Sequence, residues 1–143
     1  MADTRETAAK FNAAFNAHDE GALFELHAAN IKFSAPGGVK LNSTAAATGY
    51  AMGFFKGFPN LKMTVRSEIV SGPWIVQEFT LDGVHSGPLE GPMGTIAATD
   101  KKVTMAGAHI FRIENSRIEE ARVYFDQMEL LGELGLLPVP AAV

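Results

Sequence analysis

The chain has 143 residues, 47% hydrophobic and 20% charged, with no cysteine and a formal net charge of -4. One domain spanning 1–143 is expected at this length, with roughly 68 to 70% of the unfolded surface buried in a single core. Scattered basic residues under a net negative charge argue against a nucleic-acid partner, and the lack of cysteine excludes disulfides, thiolate metal sites and thiol nucleophiles.

The start, Ala2-Asp3-Thr4-Arg5-Glu6, is polar and no apolar stretch follows it, so no signal peptide is expected. Residues 4–17 read as an amphipathic helix because Ala8, Phe11, Ala14 and Phe15 recur at three- and four-residue spacing. Asp19 is placed to cap a shorter helix carrying Leu23, Phe24 and Leu26. Ile31 to Ser34 reads as a short strand, Pro36-Gly37-Gly38 as a turn, and 44–57 as a third helix ended by Pro59-Asn60, with Tyr50, Phe54 and Phe58 near its end. The apolar region from Ala45 to Phe55 is too short and too interrupted by glycine to span a bilayer, so a cytoplasmic protein without a membrane partner is expected.

From Leu61 the period changes to two. Leu61, Met63, Val65, Ser67 and Ile69 alternate with Lys62, Thr64, Arg66 and Glu68, which predicts a half-buried strand. After Gly72-Pro73 a second strand places Ile75, Gln77, Phe79, Leu81 and His85 on one side. Residues 86–100 read as an exposed loop. Lys101 to Gln127 reads as a long hairpin with its tip at Glu114-Asn115-Ser116-Arg117, and Asp126 opens a last helix with Met128, Leu131 and Leu134 on one face.

The tip length decides which hairpin side chains share a face. A two-residue loop pairs Ile113 with Ile118 and puts Met105, His109 and Phe111 among Glu120, Arg122 and Asp126. A three-residue loop with Ser116 in a left-handed bulge pairs Glu114 with Ile118 and sets His109 opposite Val123, beside Ala121, Phe125, Phe111 and Met105. The second register separates apolar from charged residues and is preferred. Helices first, then long antiparallel strands and a closing helix describe an α+β domain whose curved sheet wraps the helices around a pocket.

Gly72-Pro73-Trp74-Ile75, Gly83-Val84-His85-Ser86-Gly87, His109-Ile110-Phe111-Arg112-Ile113 and Asp126-Gln127 through Leu134-Gly135, in this order of elements, resemble the SnoaL-like polyketide cyclases of the nuclear transport factor 2-like superfamily, which includes ketosteroid isomerase. The resemblance implies a cone-shaped α+β barrel that binds a small hydrophobic molecule inside, with no metal and no organic cofactor. It implies proton removal next to a carbonyl by a carboxylate, aided by a pocket histidine, and self-association as a homodimer or homotetramer. His109 falls on the family histidine and Arg122 on the basic residue before the carboxylate. The carboxylate itself falls at position 123, which here is Val123, and valine cannot accept a proton.

His109, Asp126 and His85 are therefore the candidate catalytic residues. Phe15, Tyr50, Phe54, Gln77, Met105 and Val123 are candidate pocket residues. Each has a plainer reading: a core histidine bonded to backbone or water for His109, a helix cap for Asp126, a strand end for His85, and core packing for the aromatics. His18 and His27 sit near helix C-termini, where the helix dipole suits them without any chemistry. A cyclase or isomerase, a noncatalytic binder and an oligomerising scaffold with Arg112, Glu120, Arg122 and Tyr124 on its outer face all remain open.

Overall fold

The computed structural model describes residues 2–91 and 94–137. Helix α1 (Ala2–Asn16) buries Ala8, Phe11, Ala14 and Phe15, the face its spacing predicts. Asn16 ties α1 to the sheet: its Nδ2 donates to the Met63 carbonyl at 2.9 Å, and Met63 N–H donates to its Oδ1 at 2.7 Å. Asp19 caps α2 (Glu20–Leu26) by accepting from Ala22 N–H at 3.1 Å. Leu23 and Leu26 are buried, whereas Phe24 points outward.

Strand β1 (His27–Ala35) begins directly at the C-cap of α2 rather than at Ile31. A turn at Gly37 and Gly38, with φ of 87° and 77°, leads to β2 (Val39–Leu41). Ser43 caps α3 (Thr44–Gly57) through Ala46 N–H at 3.1 Å. Then come β3 (Lys62–Ser71) and β4 (Trp74–Val84). The stretch expected as an exposed loop carries a small antiparallel pair, β5 (Leu89–Gly91) and β6 (Gly94–Ile96), while Pro92 and Met93 lie outside the described residues. Leu89 is buried because Gly57 admits its side chain; a Cβ on Gly57 would sit 3.0 Å from it. The hairpin strands β7 (Lys102–Glu114) and β8 (Arg117–Phe125) and helix α4 (Gln127–Glu133) complete the described order.

Six strands form one curved sheet in the order β2-β1-β8-β7-β4-β3. It is mixed rather than wholly antiparallel. The outer side of β8 is left free by β7, and β1 fills it in parallel.

Two bulges decide what faces inward. In β3 the register shifts between Val65 and Ser67, so Glu68 and Val70 oppose the inward-facing Gln77 and Ile75. The strict alternation read from sequence continues only to Val65, and Ile69 is left 68% exposed. In the hairpin, Glu114 pairs with Arg117 rather than with Ile118. Asn115 and Ser116, with φ of 54° and 59°, make a two-residue loop of the type that needs positive φ at both positions. Glu119 is then the extra residue of a bulge, and beyond it Phe111 pairs with Ala121 and His109 with Val123. The preferred facing of His109 and Val123 thus holds, through a bulge on the arm instead of a longer tip.

On α4 the buried residue is Leu130, joined by the C-cap Leu134, while Met128 is 62% exposed. Among the described residues, no helix is long and apolar enough to cross a membrane.

Candidate functional site

The inner side of the sheet, α1 and α3 border a cavity of about 70 Å³. His109 lines it together with Phe15, Tyr50, Phe54, Met105 and Val123. Cross-strand pairing fixes His109 between Gln77 on β4 and Val123 on β8. Its ring stacks on Phe111 at 3.9 Å between centroids and meets Phe11 edge-on at 5.6 Å, with Phe79 5.2 Å away. Phe79 reaches this place because its cross-strand partner is Gly107, where a Cβ would come within 2.7 Å of the Phe79 ring.

Gln77 lies behind His109 rather than in the cavity wall. Its Oε1 accepts from His109 Nε2 at 2.7 Å and from Asn12 Nδ2 at 3.2 Å. Its Nε2 donates to Asn12 Oδ1 at 3.1 Å and to Glu68 Oε2 at 3.3 Å. A carboxylate only accepts, so Glu68 fixes the amide orientation of Gln77, and the Gln77 oxygen then requires a proton on His109 Nε2. Nδ1 is left with its lone pair and, among the described residues, without a hydrogen-bond partner. Burial lowers the His109 pKa to about 3, which keeps the imidazole neutral.

Glu68 and Asn12 belong to this network although neither stood out in the sequence. The β3 bulge turns Glu68 inward, and Arg5 meets it from α1 at 3.4 Å. Asn12 and Asn16, four apart, form a polar stripe beside the apolar face of α1; that spacing was the available signal.

His27 is the other residue that sequence reasoning placed elsewhere. It is buried, 5% exposed, and lines the same cavity. Burial lowers its pKa to about 4, so a charge interaction with the α2 dipole is ruled out at neutral pH. His18 instead stacks on Phe55 at 3.9 Å and bonds through Nε2 to the Leu61 carbonyl at 2.7 Å.

Two candidate catalytic residues lie away from the cavity. Asp126 is exposed and accepts from Met128 N–H at 2.9 Å and Glu129 N–H at 3.2 Å, the geometry of a helix cap. His85 is fully buried beside Phe58, and its Nδ1 accepts from Thr99 N–H at 3.1 Å. Gln77 pairs with His109, and on the order of 25 Å of strand separates Gln77 from His85. A proton exchange between His85 and His109 is thereby excluded.

An outer groove of about 420 Å³ adjoins the inner cavity, walled by α3, α4, the β1–β2 turn and β5. Tyr50, Phe54 and Phe125 line both spaces. Burial raises the Tyr50 pKa to about 12, so its hydroxyl keeps its proton. On the other side of the sheet Arg122 pairs with Glu120 at 2.6 Å and lies 5.1 Å from the Trp74 ring. Among the described residues, no group of three or more His, Asp or Glu side chains is gathered as a metal site would require.

A curved sheet wrapped around helices, with an apolar interior and a few polar groups at its floor, defines the nuclear transport factor 2-like class of α+β barrels. Within it the chain belongs to the SnoaL-like polyketide cyclase family, whose model matches residues 6–134. A Jannaschia sp. CCS1 protein assigned as a SnoaL-like polyketide cyclase superimposes with a TM-score of 0.84 at 18% identity, covering 96% of this chain and 94% of that one. AclR of Streptomyces galilaeus, assigned as a hydroxylase, gives 0.83 at 23% identity, covering 98% and 86%. IdmH of Streptomyces antibioticus, assigned as a polyketide cyclase, gives 0.78 at 23% identity, covering 92% and 98%. No curated protein sequence matches the chain. At these identities the structural likeness shows the fold alone.

Proposed function

We propose that this protein binds a small hydrophobic, oxygenated molecule across the outer groove and inner cavity and moves a proton next to its carbonyl group. The observation that carries this reading is that His109 lines an apolar cavity while its bond to Gln77, oriented by Glu68, leaves Nδ1 with an unpartnered lone pair. An inner volume of about 70 Å³ is under half of the ~150 Å³ that holds a benzene ring, so only the head of a ligand enters it. The body lies along the groove.

In the proposed reaction, Nδ1 of His109 takes the α-proton, the C–H electron pair becomes the enolate double bond, and the carbonyl π pair moves onto oxygen. Tyr50 donates to that oxygen. The imidazolium is stabilised through Nε2–H and Gln77 toward the Glu68 carboxylate. In a β,γ-unsaturated substrate, returning the proton to the γ-carbon shifts the double bond. Alternatively the enolate carbon attacks a second carbonyl and closes a ring, the π pair of that carbonyl moving onto its oxygen, which takes the proton from His109 Nδ1. This assigns to His109 the base role that the family resemblance places at position 123.

Binding without turnover is the second reading, favoured by Val123 opposite His109 and by a His109 pKa near 3, which makes a weak base. Deuterium incorporation at the α-carbon of 4-phenyl-2-butanone, followed by proton NMR in heavy water alongside titration calorimetry, separates the two. Exchange that H109A abolishes supports catalysis, and binding without exchange supports the binder. Absence of both across a series of apolar ketones overturns the site.

A further inference from the structure

A second imidazole faces the inner cavity with a committed tautomer. Thr48 Oγ1 donates to the Thr44 carbonyl one turn back, at 2.8 Å. Its single proton is thereby engaged, so toward His27 Nδ1, 3.0 Å away, the same oxygen acts as acceptor. His27 therefore carries its proton on Nδ1, and its Nε2 holds a lone pair. Among the described residues Nε2 has no hydrogen-bond partner, yet it is not sealed in protein: the sealed, unpartnered side-chain atoms are His85 Nε2 and Glu133 Oε2. His27 is among the residues that line the inner cavity.

The two imidazole rings flank one side chain. The Phe11 ring meets His27 edge-on at 6.2 Å and His109 edge-on at 5.6 Å. In a cavity walled otherwise almost entirely by carbon, each lone pair repels an acceptor oxygen and binds a donor. The proposed chemistry engages His109 Nδ1 with the α-proton and gives Tyr50 to the carbonyl oxygen. Nothing in that scheme satisfies His27 Nε2.

We infer that His27 is a specificity-determining residue: its Nε2 accepts from a hydroxyl group on the substrate head, so the substrate class is a hydroxylated ketone rather than a plain one. This rests on the reading that the ligand head occupies the inner cavity. The hydroxyl satisfies a buried acceptor that a ketone or an ether leaves bare, a discrimination of about 10-fold for one net hydrogen bond. The backbone explains why His27 serves: β1 starts at the C-cap of α2, so the ring emerges between α1 and α3.

The test compares 4-hydroxy-4-phenyl-2-butanone with its methyl ether by titration calorimetry. The hydroxy ketone is expected to bind about 10-fold more tightly, and in H27F the two are expected to bind equally. Equal binding to the native protein, or a preference that survives H27F, overturns the inference while leaving the site intact. Failure of both compounds to bind removes the site as well. A second measurement needs neither ligand nor variant: long-range proton–nitrogen NMR correlations of the native protein report each imidazole tautomer. The expected result is Nδ1–H for His27 and Nε2–H for His109, and a His27 protonated on Nε2 overturns the inference.

Discussion

Gln77 and His109 oppose one another across β4 and β7, and the 2.7 Å bond between them decides which imidazole nitrogen keeps its lone pair. The bond depends in turn on Glu68, which reaches Gln77 because one extra residue in β3 reverses the strand's facing. A carboxylate at the molecular edge thus sets the tautomer of a histidine in the core.

Replacing Gln77 with leucine removes that bond and strands His109 Nε2–H and Asn12 without their acceptor. The expected cost is about 1–3 kcal/mol of unfolding free energy, read from urea denaturation. The His109 nitrogen shifts should also report a mixture of tautomers. A variant with unchanged urea midpoint and unchanged tautomer would mean that Gln77 does not hold the ring.

Val123→Asp places a carboxylate opposite His109, where the family resemblance sets one. A negative neighbour favours the imidazolium, so the His109 pKa rises from about 3, measurable by NMR titration. Alpha-proton exchange is expected to quicken by at least about 10-fold as the base strengthens. Stability is expected to fall by about 1–3 kcal/mol, since aspartate replaces an apolar, half-buried valine. Loss of stability with no gain in exchange would argue for a binding protein.

Acid should destabilise the fold through its buried histidines. His27 and His109 have pKa values lowered from 6.5 to about 4 and about 3 by burial. Below pH 6.5 the unfolded chain therefore binds protons that the folded chain refuses. Their contribution is complete above pH 6.5 and is lost as pH falls through 6.5 toward 4 for His27 and toward 3 for His109. Each site contributes a slope of at most about 1.4 kcal/mol per pH unit. Urea unfolding between pH 6.5 and 5.0, above the usual carboxylate range, checks this, and H27F and H109F should each flatten the curve.

Asp126→Ala separates a cap from a base. Loss of two bonds to the first turn of α4 is expected to cost about 1 kcal/mol, while Asp126→Asn retains most of that stability. Exchange at the α-carbon should be the same in both variants and the native protein. A rate collapse in Asp126→Asn with normal stability would return Asp126 to the chemistry.

Much of the architecture was legible because it is written in local periods. The three- and four-residue spacing of Ala8, Phe11, Ala14 and Phe15, the caps Asp19 and Asp126, and the alternation from Leu61 to Val65 each depend on neighbours within a turn or a strand. The motif around His109 pointed to the family for the same reason. The bulges at Arg66 and Glu119 were not legible, because a bulge is chosen by the strand opposite. Val65 and Phe79 on one side, and Ile113 and Ile118 on the other, hold pairings that an unbulged strand could not keep together.

From its order of residues alone this chain determined an α+β domain with His109 facing Val123, since apolar and charged side chains separate cleanly in only one facing of the hairpin. Tertiary structure alone decided the site: it brought Glu68 and Asn12 to Gln77, set His27 into the cavity beside Phe11, and sent His85 and Asp126 elsewhere. The reason is physical. Burial and hydrogen-bond direction belong to contacts between residues distant in the chain, and those contacts determine the protonation of each imidazole.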